Sequence, residues 1–151
     1  MTGFCGCGER VFSMNKDVIS SKIEALRHCI ERIRDKTPES ADLLLDDLDL
    51  QDIICINLER AVRVCVDLAA HLIAESNLSA PRTMAESFDH LRQLKLISDE
   101  LAARMKKAVG FRNIAVHAYQ DINWIIVYSI ITTRINDFVE YATAVHNATQ
   151  S

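Results

Sequence analysis

The sequence predicts an all-α protein, a single up-and-down bundle of four to five helices. Three observations point there. Gly (4) and Pro (2) are scarce in 151 residues, so the turn residues that hairpins and sheets need at regular spacing are missing. Apolar residues recur at helical intervals through several long segments. The composition, 49% apolar and 25% charged, is that of a globular chain able to bury one core. The length suits one domain and is short for two.

Taken in order, residues 1–13 hold three of the four glycines together with Cys5 and Cys7, and are read as a disordered extension ahead of a domain over 14–151. A Cys-x-Cys pair supplies two ligands where a structural metal site needs four, and no second pair is visible. The first helix is expected from about Lys16 to Lys36, where Val18, Ile19, Ile23, Leu26, Ile30 and Ile33 form one stripe; Thr37-Pro38 stops it. The acidic stretch Asp42 to Asp49 reads as a short helix or turn. The longest helix follows, about Leu50 to Ser76, with an apolar stripe wider than a surface helix needs. Such a helix is central, touching both the bundle and a partner chain. Thr83-Met-Ala-Glu86 has the form of a capping box and opens a short helix through Phe88, Leu91 and Leu94. Ser98 caps the next, with Asp99 and Glu100 at its positive end. That helix carries Leu101, Met105, Ala108 and Phe111 and ends near His117 to Gln120. Asp121 or Asn123 caps a final helix that reaches Val139. Its opening is rich in β-branched residues, but a strand there would lack a partner.

The net charge is −4. Broad contact with a nucleic-acid backbone calls for a basic protein, so any RNA contact must use a local basic cleft. Arg60, Arg63, Arg104, Lys106 and Lys107 are the candidates, although such charges more often only solvate a helix face. Cys29, Cys55 and Cys65 fall in helical patterns as small buried hydrophobes, which suits a reducing cytoplasm. The N-terminus has no apolar run of a signal peptide. The longest apolar run, Trp124 to Ile131, is too short to span a bilayer, so no membrane contact is expected.

The segment Phe111-Arg-Asn-Ile-Ala-Val-His-Ala-Tyr119 carries the chemistry. It sets Arg112, His117 and Tyr119 at R-x4-H-x-Y, with Asn113 beside the arginine. On a helix Asn113 and His117 share a face, as do Arg112 and Tyr119. Arg112 and His117 stand about 140° apart on an unbroken helix, so they converge only through a long side chain or a helix end. Imidazole titrates near neutral pH and suits general acid–base work. Guanidinium grips phosphate and offsets the charge of a pentacoordinate transition state. Together they suit RNA cleavage in which the ribose 2′-OH attacks the adjacent phosphate, with Arg112 and His117 catalytic and Asn113 in polar support. One histidine per chain is thin for acid plus base, and a two-fold dimer would supply two. Against this stands a plain scaffold in which Arg112 and His117 only cap a helix.

RNIAVHAY resembles the R-x4-H-x-Y motif of HepT toxins, a branch of the HEPN superfamily. The flanking LxxRMKKAVGF, the helix LQDIICINLERAVRVCVDLAAHLI and the segment SFDHLRQLKLIS are similar too, so the likeness runs from about Asn15 to Val145. It implies a HEPN-like bundle that dimerises and cleaves RNA, tRNA or mRNA, without metal, and a type VII toxin–antitoxin system. It also implies a partner, the minimal nucleotidyltransferase antitoxin MntA, which uses ATP and Mg²⁺ to place AMP on the motif tyrosine, here Tyr119. The toxin chain itself then needs no cofactor. The alternative is a non-catalytic HEPN module that binds a nucleotide or a partner beside a nucleotidyltransferase.

Elsewhere Asp67 and His71 have the spacing of a surface pair. His28, His90 and His146 show no partner spacing. Trp124 reads as a core or interface residue.

Overall fold

The computed structural model describes residues 2–150, with side chains from Lys16 onward. The reading of residues 1–13 as a disordered extension, and with it Cys5 and Cys7, therefore lies outside the residues whose side chains are described. The elements are α1 (Thr2–Lys36), α2 (Ala41–Leu45), α3 (Leu48–Ala74), α4 (Met84–Gln93), α5 (Asp99–His117), a 3-10 turn (Tyr119–Asp121), α6 (Trp124–Ser129), a π-turn (Ile130–Arg134) and α7 (Asn136–Gln150). Among the described residues there is no strand. The all-α expectation holds, with seven α-helices in place of four to five.

The wide stripe of α3 makes it the centre of the bundle, in contact with α1, α2, α4, α5 and α7. Its Ile54, Leu58, Ala61, Val62, Cys65, Leu68 and Ala69 are buried. Across from them, Tyr141 of α7 is fully buried and meets Phe88 of α4 edge-on, ring centres 5.6 Å apart. Burying a tyrosine requires a partner for its hydroxyl, which donates to the Cys65 carbonyl at 2.7 Å. The buried Gln51 amide donates to the Leu44 and Leu45 carbonyls at 3.0 and 3.3 Å, satisfying the open end of α2 and pinning it to α3.

Helix ends follow the local chemistry. Asp47, Thr83 and Ser98 each accept from the amide three residues on, all at 3.1 Å. Glu86 turns back as a capping box requires, but accepts from the amide of Arg82 at 3.3 Å, one residue ahead of the Thr83 cap. Of the two caps open for the final helix, Asn123 takes the role, accepting from the Ile125 and Ile126 amides. α4 ends with Lys95 at φ 61, the left-handed position of a Schellman motif: the Leu96 amide reaches back to Leu91 and the Lys95 amide to Arg92.

The final helix departs from the expected single rod. It breaks into α6, the π-turn and α7. At the break, Thr132 and Thr133 turn their hydroxyls onto the Tyr128 and Ser129 carbonyls at 2.7 and 2.6 Å. Side chains that compete for helix carbonyls bend the ladder and favour such a bulge. Tyr128 then donates to the Pro38 carbonyl at 3.0 Å, tying α6 to the loop after α1. Among the described residues, no helix is long and apolar enough to cross a membrane.

Candidate functional site

The motif occupies the C-terminal end of α5 and the turn beyond it. Ala118, at φ −145, ends the helix, so Tyr119 leaves the helical path and enters the 3-10 turn. Arg112 and Tyr119 nevertheless both reach α3. The Arg112 guanidinium pairs with Glu59 at 3.5 Å, and the two side chains are only 18% and 13% exposed. The Tyr119 hydroxyl donates to Asp52 Oδ1 at 2.6 Å. Seven residues along α5 and its turn thus match seven residues back along α3. This is the register of two antiparallel helices, with the motif's first and last members each clipped to an acid.

Neither acid was nominated from the sequence. The available signal was weak: Asp52 and Glu59 sit two turns apart and so share one face of α3, which carries other charged residues as well. Between them lies Cys55, whose thiol is pushed up to about 11 by burial first, then by the negative charges of Asp52 and Glu59.

Glu59 Oε1 also receives Arg63 Nη2 at 2.6 Å. Two guanidiniums share one carboxylate, so the Arg63–Glu59–Arg112 cluster keeps one positive charge for an incoming phosphate. The Nε of Arg112 is buried and has no hydrogen-bond partner among the described residues. The other proposed basic residues divide. Arg104 is held by Asp137 and Glu140 at 2.8 and 3.0 Å, and Lys106 by Asp89 at 3.1 Å. These two serve the bundle. Arg60 and Lys107 are exposed.

His117, the last residue of α5, is exposed, as is Asn113. Neither side chain has a hydrogen bond or ion pair among the described residues, and none joins either one to Arg112. Within one chain, then, Arg112 is positioned by α3 while His117 stands free at the helix end. Tyr119 is half-buried, its ring edge-on to Trp124 at 5.8 Å, which accounts for that tryptophan. Its hydroxyl is held above the usual phenol range by burial first, then by the hydrogen bond to Asp52 and that residue's charge, with a smaller contribution from Cys55.

Two expected surface features differ. Asp67 pairs with Lys22 of α1 at 3.4 Å in place of His71. His90 does have a neighbour: buried on α4, it lies 3.7 Å from Glu86 one turn earlier. Among the described residues, no group of three or more His, Cys, Asp or Glu is gathered as a metal site would require.

An apolar groove of about 410 Å³ lies beside the motif, lined by Ala108, Phe111, Ile114, Ile126, Ile130 and Phe138 among others. None of the four motif residues lines it. The surface around the motif is also apolar for an exposed region: Ile114 and Val116 are each 46% exposed, Ile125 59% and Ile126 56%.

Comparison with known proteins fits this arrangement. Residues 26–145 match the family model described as "Ribonuclease HepT-like". The chain is 36% identical over 125 residues to the "mRNA nuclease HepT" of Shewanella oneidensis, covering 83% of this chain and 93% of that protein. It is 22% identical over 130 residues to the "tRNA nuclease HepT" of Aphanizomenon flos-aquae, covering 86% and 88%. Among solved structures it superposes on the tri-AMPylated Shewanella oneidensis HEPN toxin in complex with MNT antitoxin. There the TM-score is 0.82 and the identity 34%, with 87% of this chain and 98% of that one covered. A toxin–antitoxin crystal structure with AMP-PNP matches with the same TM-score, identity and coverage. On fold, motif and extent of match, the chain belongs to the HepT-like ribonuclease family of endoribonuclease toxins.

Proposed function

We propose that the toxin cuts RNA at a cleft shared by two copies of the chain, with Arg112 and His117 of each contributing. The observation that carries this is that one end of α5 holds both an Arg112 positioned by Glu59 and a free, exposed His117. Arg112, oriented by Glu59, binds the scissile phosphate and offsets the extra negative charge as the 2′-OH attacks. One His117 removes the 2′-OH proton. The second copy's His117 protonates the leaving 5′ oxygen. The products are a 2′,3′-cyclic phosphate and a 5′-hydroxyl. Asn113 donates to a phosphate oxygen or orients His117. No step requires a metal or other cofactor.

The homodimer is supported by the exposed Ile114, Val116, Ile125 and Ile126 around the motif, apolar surface that a second copy would cover. A nucleotidyltransferase antitoxin of the MntA kind, acting with ATP and Mg²⁺, is the proposed inhibitor, and Tyr119 the residue that takes AMP. Cytoplasmic residence is supported by three buried free thiols, Cys29, Cys55 and Cys65. The test has two arms: cleavage of purified tRNA and mRNA with EDTA present, and, in separate reactions with Mg²⁺ and no EDTA, cleavage by toxin first treated with the antitoxin and ATP. Cleavage should survive EDTA, vanish in Arg112→Ala and His117→Ala, and stop once Tyr119 is modified. Intact cleavage by both alanine variants would remove these residues from the mechanism.

A further inference from the structure

We propose that Asp52 is the proton acceptor that makes Tyr119 a nucleophile toward a nucleoside triphosphate, so that the modification site carries its own general base. The inference rests on the reading of Tyr119 as the AMP acceptor and adds the residue that activates it.

The geometry favours proton transfer over mere packing. The Tyr119 Oη–Asp52 Oδ1 separation of 2.6 Å is that of a charge-assisted hydrogen bond, with the carboxylate already on the phenolic proton. The ring is fixed along its edge by Trp124, and Trp124 is set by the Asn123 cap at the start of α6. Asp52 is exposed, so the hydroxyl it holds stands at a rim where a triphosphate can approach. The phenol is also a poor spontaneous nucleophile. Burial and the carboxylate both disfavour phenolate, so the proton has to leave during the attack and not before it.

In the step, a lone pair of Tyr119 Oη forms a bond to the α-phosphorus. The bond from that phosphorus to the β-bridging oxygen breaks, and pyrophosphate departs with the electron pair. The phenolic proton passes to Asp52, and from there to water because the carboxylate is exposed. The product ester has no proton on Oη. The hydrogen bond to Asp52 is lost, and an anionic phosphodiester now faces a carboxylate. Modification therefore releases Tyr119 from α3.

The experiment uses the full chain with a nucleotidyltransferase antitoxin of the MntA kind and ATP radiolabelled on its α-phosphate. Single-turnover labelling is followed from about pH 6 to pH 10, the span over which free phenols begin to ionise. Wild type should label at a rate nearly independent of pH, and Tyr119→Phe should not label. Asp52→Asn keeps an oxygen acceptor for the hydroxyl but is not a base. It should label about 100-fold or more slowly at neutral pH, with the rate climbing about tenfold per pH unit, and Asp52→Glu should recover most of the loss. Circular dichroism confirms that each variant is folded. An Asp52→Asn variant with the wild-type rate and pH profile overturns the proposal. So does a slower variant whose profile keeps the wild-type shape, since Asp52 would then only position the ring. Equal labelling of wild type and Tyr119→Phe is a different failure, because it removes Tyr119 as acceptor and the parent reading with it.

Discussion

Replacing Glu59 by Gln is the most direct test of how the site is held. Glu59 lies 3.5 Å from Arg112, and both side chains are largely buried. At an effective dielectric of about 20, two unit charges at that distance attract by roughly 5 kcal/mol. Desolvation offsets much of this, and hydrogen bonds to charged groups are worth about 1.5–3 kcal/mol net. Gln keeps the shape and removes the charge, leaving Arg112 and Arg63 facing one another without a counterion. The expected loss of stability is about 1–3 kcal/mol, read as a lower urea midpoint with an unchanged slope. The expected kinetic effect is larger. A guanidinium displaced by about 1 Å costs on the order of 100-fold in rate, so kcat for RNA cleavage should fall about 10- to 100-fold. KM should not rise, because removing an acid does not hinder the approach of RNA. Stopped-flow cleavage of a fluorescent oligoribonucleotide separates the two constants. A Glu59→Gln toxin with kcat within about twofold of wild type would refute the claim that α3 positions Arg112 for catalysis.

Four further outcomes follow from features away from that pair. Lys95→Gly should raise stability by about 1 kcal/mol, since Lys95 sits at φ 61 where a Cβ is strained; thermal unfolding should move up by about 2–4 °C. Tyr141→Phe deletes the hydroxyl bonded to the Cys65 carbonyl and should cost about 1 kcal/mol in denaturant titration. Stability should hold up to about pH 8 and fall beyond it, because Cys29, Cys55, Cys65, Tyr119 and Tyr141 all have folded-state values raised by burial. Their stabilisation is complete below the unfolded thiol and phenol values of about 8.5 and 10, and is lost as pH climbs toward the folded values. Urea midpoints between pH 7 and about pH 11 measure it. With the proposed dimer built on the exposed apolar face, Ile126→Asp should leave a monomer in sedimentation and abolish cleavage together.

The helices and their caps were legible because their determinants are local. Thr83, Ser98 and Asn123 act on amides within three residues, and the buried stripe of α3 repeats at helical spacing. The motif's place was legible too, at the residues where α5 stops. Its supports were not. Asp52 meets Tyr119 and Glu59 meets Arg112 across more than fifty residues of chain, and no local pattern encodes a contact made by two antiparallel helices. A separation of 45 residues likewise hides the pairing of Lys22 with Asp67. The π-turn was missed for a different reason. Thr132 and Thr133 are compatible with a helix, and only their hydroxyl bonds to preceding carbonyls reveal the break.

The spacing of the two clips on α3 sets a ruler. Seven residues of helix separate Asp52 from Glu59, a rise of about 10 Å, so Tyr119 and Arg112 are anchored that far apart. At the same effective dielectric of about 20, one added negative charge over such a gap is worth roughly 1.6 kcal/mol, and salt reduces it. On the proposal that Tyr119 takes AMP, the field of the added charge weakens the guanidinium by on the order of tenfold and does not disarm it. On that proposal, complete silencing is a matter of reach, with the appended nucleotide long enough to lay its own phosphate or base where the RNA strand would otherwise lie.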